Sequence, residues 1–211
     1  MARRLPVYLL LDTSGSMMGT RIEAVKNGIQ ILVSTLHQNG QAMETAHLSV
    51  ITFDSTARQI IPLTDLSSFQ MVDIQASGTT ALGEALQVVS DCIDKEVRKG
   101  TPETKGDWRP IVFIFTDGEP TDDWQKGLTE YKKKKTSFTV ACAAGADTSV
   151  LKQITENVIS LDTADSQSIT KFFAWVSDSI MVSSTTVGDS GKDVTGFNQM
   201  PPLPTELNIV V

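Results

Sequence analysis

The chain is poor in the residues that usually carry metal and redox chemistry: 211 residues include two cysteines and two histidines. Cys92 and Cys142 each lie inside an apolar run (VVSDCI and FTVACAA), the setting of a buried reduced thiol. Neither His37 nor His47 belongs to a cluster with zinc spacing. A basic surplus is also missing. Eighteen Lys and Arg stand against 25 Asp and Glu, a net charge of −7, which argues against binding a nucleic-acid backbone. No apolar run approaches a membrane-spanning length, so no membrane insertion is expected. The start, MARRLPVYLLL, has the arginines of a signal peptide, but its apolar stretch stops at Asp12 and no A-x-A-like site follows. A cytoplasmic protein is expected. Disorder is excluded, because 40% of the residues are hydrophobic and they are spread along the chain. A chain of this length buries roughly 70% of its unfolded surface and needs neither disulfides nor zinc to hold a core.

What is present reads as strands alternating with helices. VYLLL at 7–11 and IVFIF at 111–115 are continuous apolar runs, as in strands covered on both faces. HLSVITF at 47–53 and ARQIIPL at 57–63 read as a hairpin, with Pro62 placing the second strand at a sheet edge. SFTVACAA and VISL complete the strands. Ile22, Val25, Ile29, Leu32 and Leu36 share one helical face; Leu82, Leu86, Val89 and Ile93 share another. Ile169, Phe172, Phe173, Val176 and Ile180 line a final helix, and shorter helices are expected before Lys132–Lys135 and near 149–156. The four lysines read as a solvated helix end. Together these elements predict an α/β fold: a mostly parallel sheet with one antiparallel edge strand and helices on both faces.

From about Ser183 the composition turns to Ser, Thr, Gly and Pro, and helical periodicity is lost. The expected division is a folded domain over 1–183 and an extended tail over 184–211. The tail carries a polyproline-like PPLP element, and its apolar end, LNIVV, is expected to lie against this domain or a partner.

Ligands of open α/β sheets bind outside the carboxyl ends of the strands. Asp12, Ser14 and Ser16 follow the first strand, Asp117 follows IVFIF, and Thr79 lies in the SGTT loop before a long helix. All five carry oxygen donors, a set that suits a hard cation such as Mg²⁺, with Mn²⁺ or Ca²⁺ also possible. Met17, Met18, Arg21, Asp54, Glu119 and Trp124 are expected on the same face as a partner-binding surface. Because the site faces solvent at the end of the sheet, replacing Asp12 or Ser14 by alanine is expected to leave the fold intact. DTSGS alone is a polar strand-to-helix turn, and TDG alone a common turn; the signal is their combination, in order, with Thr79.

That combination, Asp12-x-Ser14-x-Ser16, Thr79 and Asp117, resembles the metal-ion-dependent adhesion site of von Willebrand factor A (VWA) domains, and the likeness covers roughly residues 5–182. The resemblance implies a Rossmann-like VWA fold. It implies that Ser14, Ser16 and Thr79 ligate the metal through neutral hydroxyls while Asp12 and Asp117 act from close by, directly or through water. A cation held in this way accepts a Glu or Asp carboxylate from a protein partner. Within the family, LLLDTSGSM, TDGEPTD and the PPLP tail are similar to the TerY-like proteins of bacteria, which are associated with tellurite resistance. That narrower likeness implies stress signalling alongside a PP2C-type phosphatase and a kinase-like protein.

Two other classes of function compete with this reading. A Mg²⁺-dependent hydrolase or phosphotransferase would use Asp12 as nucleophile, but the second aspartate it wants is replaced by Ser14. There is also no phosphate loop, no GxSxG elbow and no credible general base. A scaffold would act through PPLP or LNIVV. A non-catalytic interaction module is favoured.

Overall fold

The apolar run that follows Arg4 forms strand β1 (Leu5–Asp12), and every residue of it is buried. It lies between two parallel neighbours, β2 (Ala46–Phe53) and β4 (Ile111–Thr116). Because side chains alternate along a strand, β1 feeds two cores. Leu5, Val7, Leu9 and Leu11 pack on the face covered by α1 (Thr20–His37) and α6 (Ser166–Ser190). Tyr8 and Leu10 pack on the face covered by α3 (Leu82–Glu96) and α4 (Trp124–Tyr131). This computed structural model describes residues 3–161, 163–194 and 196–210.

With β3 (Ala57–Asp65), β5 (Phe138–Ala143), β6 (Val158–Leu161) and β7 (Leu207–Ile209), the sheet order is β3-β2-β1-β4-β5-β6-β7. The expected antiparallel edge strand is β3, paired to β2. A second antiparallel pair, β6 with β7, closes the opposite edge and was not foreseen. The chain leaves β1 toward β2 on one side, and β4 joins it on the other. The β1–β4 seam is therefore the topological switch point, where the loops after both strands emerge together. Two short helices, α2 (Gly40–Thr45) and α5 (Leu151–Ile154), complete the elements.

The last helix runs to Ser190, past the 183 boundary read from composition, and ends at Gly191 in the left-handed region (φ 63°). Hydroxyls explain why periodicity hid it. Ser183, Thr185, Thr186 and Ser190 each donate to the carbonyl four residues earlier, and Ser179, Ser183 and Ser184 fill buried positions where apolar residues would have revealed the face. The segment after Gly191 then returns along α6. Val194 is buried, Phe197 packs on Trp175 with ring centroids 5.7 Å apart, and the Trp175 indole donates to the Pro201 carbonyl at 3.0 Å. Lys171 pairs with Glu206, and β7 joins the sheet, so LNIVV lies against this domain as far as Val210.

Helices on each face approach closely at glycines. A Cβ on Gly127 of α4 would lie 2.0 Å from the Gly83 carbonyl oxygen of α3. On the other face, a Cβ on Gly28 of α1 would lie 2.5 Å from the Phe173 ring of α6.

At the amino end of the sheet, Asp107 ties the loop before β4 to the start of β1. Its carboxylate accepts from Arg4 Nη2 at 2.6 Å, Arg4 Nε at 3.0 Å, and the backbone N–H groups of Arg4 and Arg98 at 3.1 and 2.8 Å. Burial raises the Asp107 pKa, but these donors outweigh it and hold the carboxyl below its ordinary range. A group with a depressed folded pKa stabilises the fold above its unfolded pKa, and that contribution is lost as pH falls through the folded value. Asp107→Asn is therefore expected to cost about 1.5–3 kcal/mol at pH 7, the range for hydrogen bonds to a charged group. The gap between variant and wild type should shrink as pH is lowered below about 4, near the unfolded carboxyl pKa. Urea denaturation at a series of pH values measures it.

Candidate metal centre

Asp12, the last residue of β1, is fully buried. Its Oδ1 accepts the Ser14 backbone N–H at 2.8 Å, and its Oδ2 accepts the hydroxyl of Thr116, the last residue of β4, at 2.5 Å. One carboxylate thus clamps the two strands of the switch point together. Burial raises the Asp12 pKa, and donation from Ser14 and Thr116 opposes that rise. This burial corrects the expectation that Asp12 and Ser14 face solvent: they are 0% and 2% exposed. Alanine at Asp12 would strand the Thr116 hydroxyl and the Ser14 N–H.

After Asp12 the chain makes a 3-10 turn, Gly15–Met17, and turns its hydroxyls toward the next loop. Ser14 Oγ lies 3.0 Å from Ser16 Oγ, and Ser16 Oγ donates to Asp117 Oδ1 at 2.6 Å. Ser16 has one hydroxyl proton and gives it to Asp117, so Ser14 is the donor in the first bond. Asp117 Oδ2 accepts from Arg21 Nη1 at 2.5 Å. The result is one directed chain, Ser14 to Ser16 to Asp117, ended by a guanidinium. Both hydroxyl protons point toward the acid, so the hydroxyl oxygens keep lone pairs for a cation.

The SGTT loop is stitched to the same turn by backbone bonds, Ser77 N–H to Thr13 O at 2.8 Å and Gly15 N–H to Gly78 O at 3.0 Å. Gly78 holds φ +74°, a conformation L side chains rarely adopt, and a Cβ there would strike Ser55 Oγ at 2.3 Å. The structure brings Thr79 to this loop cluster but turns its hydroxyl toward Ser55 Oγ, at 3.4 Å, rather than into the serine–aspartate chain. The adjacent Thr80 is buried, and its hydroxyl sits 3.1 Å from where a Gly118 Cβ would be; Ser16 Oγ is 3.9 Å from the same point.

The expected partner surface divides. Met18 is 66% exposed and Glu119 is exposed, as anticipated. Met17 is not on the surface: it is 0% exposed and belongs to the core, because the 3-10 turn points it inward while its neighbour points out. Trp124 is half-buried against the α3–α4 core, which is a packing role. Asp54 accepts the Thr56 N–H at 3.1 Å and lies 3.6 Å from Arg58. Arg21 is inside the site, on Asp117. Thr116, Thr80 and Ser55 were missed. Thr116 had a signal, a hydroxyl closing an apolar strand beside a buried acid; the two adjacent threonines of SGTT give no spacing rule that says which one faces inward.

The donor set fits a hard divalent cation. It is all oxygen, with neutral hydroxyls beside two carboxylates, and the site already holds a positive group, the Arg21 guanidinium. Among the described residues there is no group of three or more His, Cys, Asp or Glu that could hold a metal, so any metal here depends on the hydroxyls.

A family model for the von Willebrand factor type A domain matches residues 7–175. The chain belongs to that family. Relatives include an uncharacterized protein of Synechocystis, 33% identical over 124 aligned residues, with 56% of this chain and 26% of that protein covered. Another is the E3 ubiquitin-protein ligase WAVH1 of Arabidopsis thaliana, 30% identical over 131 residues, 55% of this chain and 18% of that protein. The matched parts are about a quarter or less of these relatives' lengths. Among solved structures, proximal thread matrix protein 1 of the mussel byssus, with a zinc-occupied MIDAS motif, superposes with a TM-score of 0.60 at 18% identity, covering 87% of this VWA chain and 46% of that one. The sheet with its surrounding helices is that of a VWA domain. Among the described residues, no helix is long and apolar enough to cross a membrane.

Proposed function

We propose that this VWA domain is a non-catalytic interaction module that captures a protein partner through a divalent cation, with Mg²⁺ the first candidate and Mn²⁺ or Ca²⁺ alternatives. The observation that carries this reading is the directed chain from Ser14 through Ser16 to Asp117, beside buried Asp12 at the switch point. The zinc-occupied MIDAS motif of the byssus protein supports a metal at this position of the fold. Ser14, Ser16 and Asp117 would hold the ion, together with a threonine of the SGTT loop, Thr79 by sequence pattern or Thr80 by its burial. A bound cation supplies an electrophilic position that a Glu or Asp carboxylate of the partner can fill. Asp12 fixes the turn that presents the serines and holds β1 to β4.

The hydrolase alternative is disfavoured by the same geometry. Both oxygens of Asp12 are occupied by hydrogen bonds in a fully buried position, so neither is presented as a nucleophile. The tail-scaffold alternative is disfavoured because Leu207 and the Pro201 carbonyl are engaged within the domain. The narrower reading, a TerY-like role in tellurite resistance and phosphorylation-linked stress signalling with a PP2C-type phosphatase and a kinase-like protein, rests on the LLLDTSGSM, TDGEPTD and PPLP resemblance.

Affinity capture from native cell extract, in Mg²⁺ and in EDTA, tests the proposal. A partner retained only with Mg²⁺ is the expected result. Partners indifferent to EDTA would move the contact to another surface, and the identity of any metal-dependent partner tests the stress-signalling reading directly.

A further inference from the structure

Both carboxylate oxygens of Asp117 are engaged before any metal arrives. Its side chain is 0% exposed; Ser16 takes Oδ1, and Arg21 takes Oδ2 with an ion pair of 2.5 Å. Nη1 of Arg21 also reaches the Ser16 carbonyl at 3.3 Å, so one nitrogen makes both contacts. Among the described residues no other acid pairs with Arg21. The guanidinium is held by one end instead of the two-pronged grip it makes when it is fixed in place. Its side chain is 37% exposed, and its backbone is anchored in the first turn of α1 beside exposed Met18. The head group can therefore leave Asp117 for solvent without disturbing the helix.

From this geometry we infer that Arg21 is an internal competitor for the cation: it holds Asp117 Oδ2, the oxygen that Ser16 does not take, and a divalent ion drawing on that oxygen must displace it. The inference rests on the metal reading of the same site. To yield that oxygen, the guanidinium has to move. While it stays, it neutralises one of the two carboxylates near the serines and repels an incoming double charge. Arg21 thus lowers metal affinity. It also keeps buried Asp117 paired when the metal is gone, which protects the empty site from the cost of an uncompensated buried charge.

Isothermal titration of MgCl₂, and separately MnCl₂, into the wild-type chain, Arg21→Gln and Arg21→Lys tests the idea. Arg21→Gln removes the charge and is expected to bind metal roughly tenfold tighter or more, since the like-charge repulsion is gone. Arg21→Lys keeps the charge and should stay near wild type. Far-UV circular dichroism confirms that each variant is folded. In wild-type protein, the Arg21 guanidinium ¹⁵N–H signals should be slow to exchange without metal and move to solvent-like positions on adding Mg²⁺. Equal or weaker binding by Arg21→Gln, with wild type binding normally, would overturn the role of Arg21 and leave the metal reading standing. Binding of neither ion by any of the three proteins at millimolar concentration would overturn both.

Discussion

Ser16→Ala is expected to lower divalent-cation affinity by about a hundredfold, the upper end of what changes around a metal site cost, while costing the metal-free domain no more than about 1–3 kcal/mol for the bonds that Ser14 and Asp117 lose. The two effects separate because of where Ser16 lies. It is exposed, so its loss opens no cavity, yet its hydroxyl is the middle link between Ser14 and Asp117. Removing it deletes one donor to the ion and leaves the other two without the bond that orients them. Asp12→Ala is a poorer test. It would also cost about 1–3 kcal/mol for each buried partner left without a hydrogen bond, and lost binding could then be blamed on a loosened fold. Titration calorimetry with Mg²⁺, paired with urea denaturation in EDTA, measures both quantities. Full cation affinity in Ser16→Ala would count heavily against a metal held by the serine–aspartate chain.

Phe172→Ala is expected to destabilise the domain by about 3–5 kcal/mol. Phe172 is 1% exposed on α6 and sits at the centre of an aromatic group. Its ring centroid is 5.6 Å from Phe115 of β4, 5.4 Å from Phe173 and 6.4 Å from Trp175. Those neighbours are fixed by the strand, by the helix and by the returning tail, so they cannot collapse into the space left behind, and the cavity term should be near its full size. Such a loss is a large part of the stability of a typical domain. Chemical denaturation shows it as a lower midpoint with little change in slope. A cost under about 1.5 kcal/mol, the range for volume-conserving swaps, would mean that α6 is not packed on β4 as described.

Periodicity revealed the fold wherever burial was achieved with apolar residues. The all-apolar runs at β1 and β4, and the spaced faces of α1 and α3, made the parallel sheet and its switch point legible. It failed where burial was achieved with hydroxyls, so the last turns of α6, with Ser183 and Ser184 inward, read as tail. For LNIVV it went no further than a contact with this domain or a partner, because a three-residue strand such as β7 is defined by its partner rather than by its own composition. At the site, the order of Asp12, Ser14, Ser16 and Asp117 was enough to bring them together, since strand ends leave little freedom. Which threonine of SGTT turns inward, and that Met17 does so as well, depends on backbone torsions that no spacing encodes.

The two close approaches at glycine differ in whether a defect there has a remedy. An alanine at position 28 would press on the Phe173 side chain down to its Cβ, 2.9 Å away, so a smaller residue at 173 relieves most of the collision and glycine clears it. An alanine at position 127 would press on the carbonyl of Gly83, which every amino acid shares. No substitution at 83 can relieve that collision, so the first glycine has possible suppressors and the second has none at its own contact. The α3–α4 seam also stands directly behind the two loops that carry Thr79 and Asp117. Asp122, just past Asp117, accepts the N–H groups of Gly83 and Glu84 at 3.0 and 2.8 Å, fastening one loop to the helix of the other. A lineage that drifts at this seam thus has one way back, which is to restore the original residue.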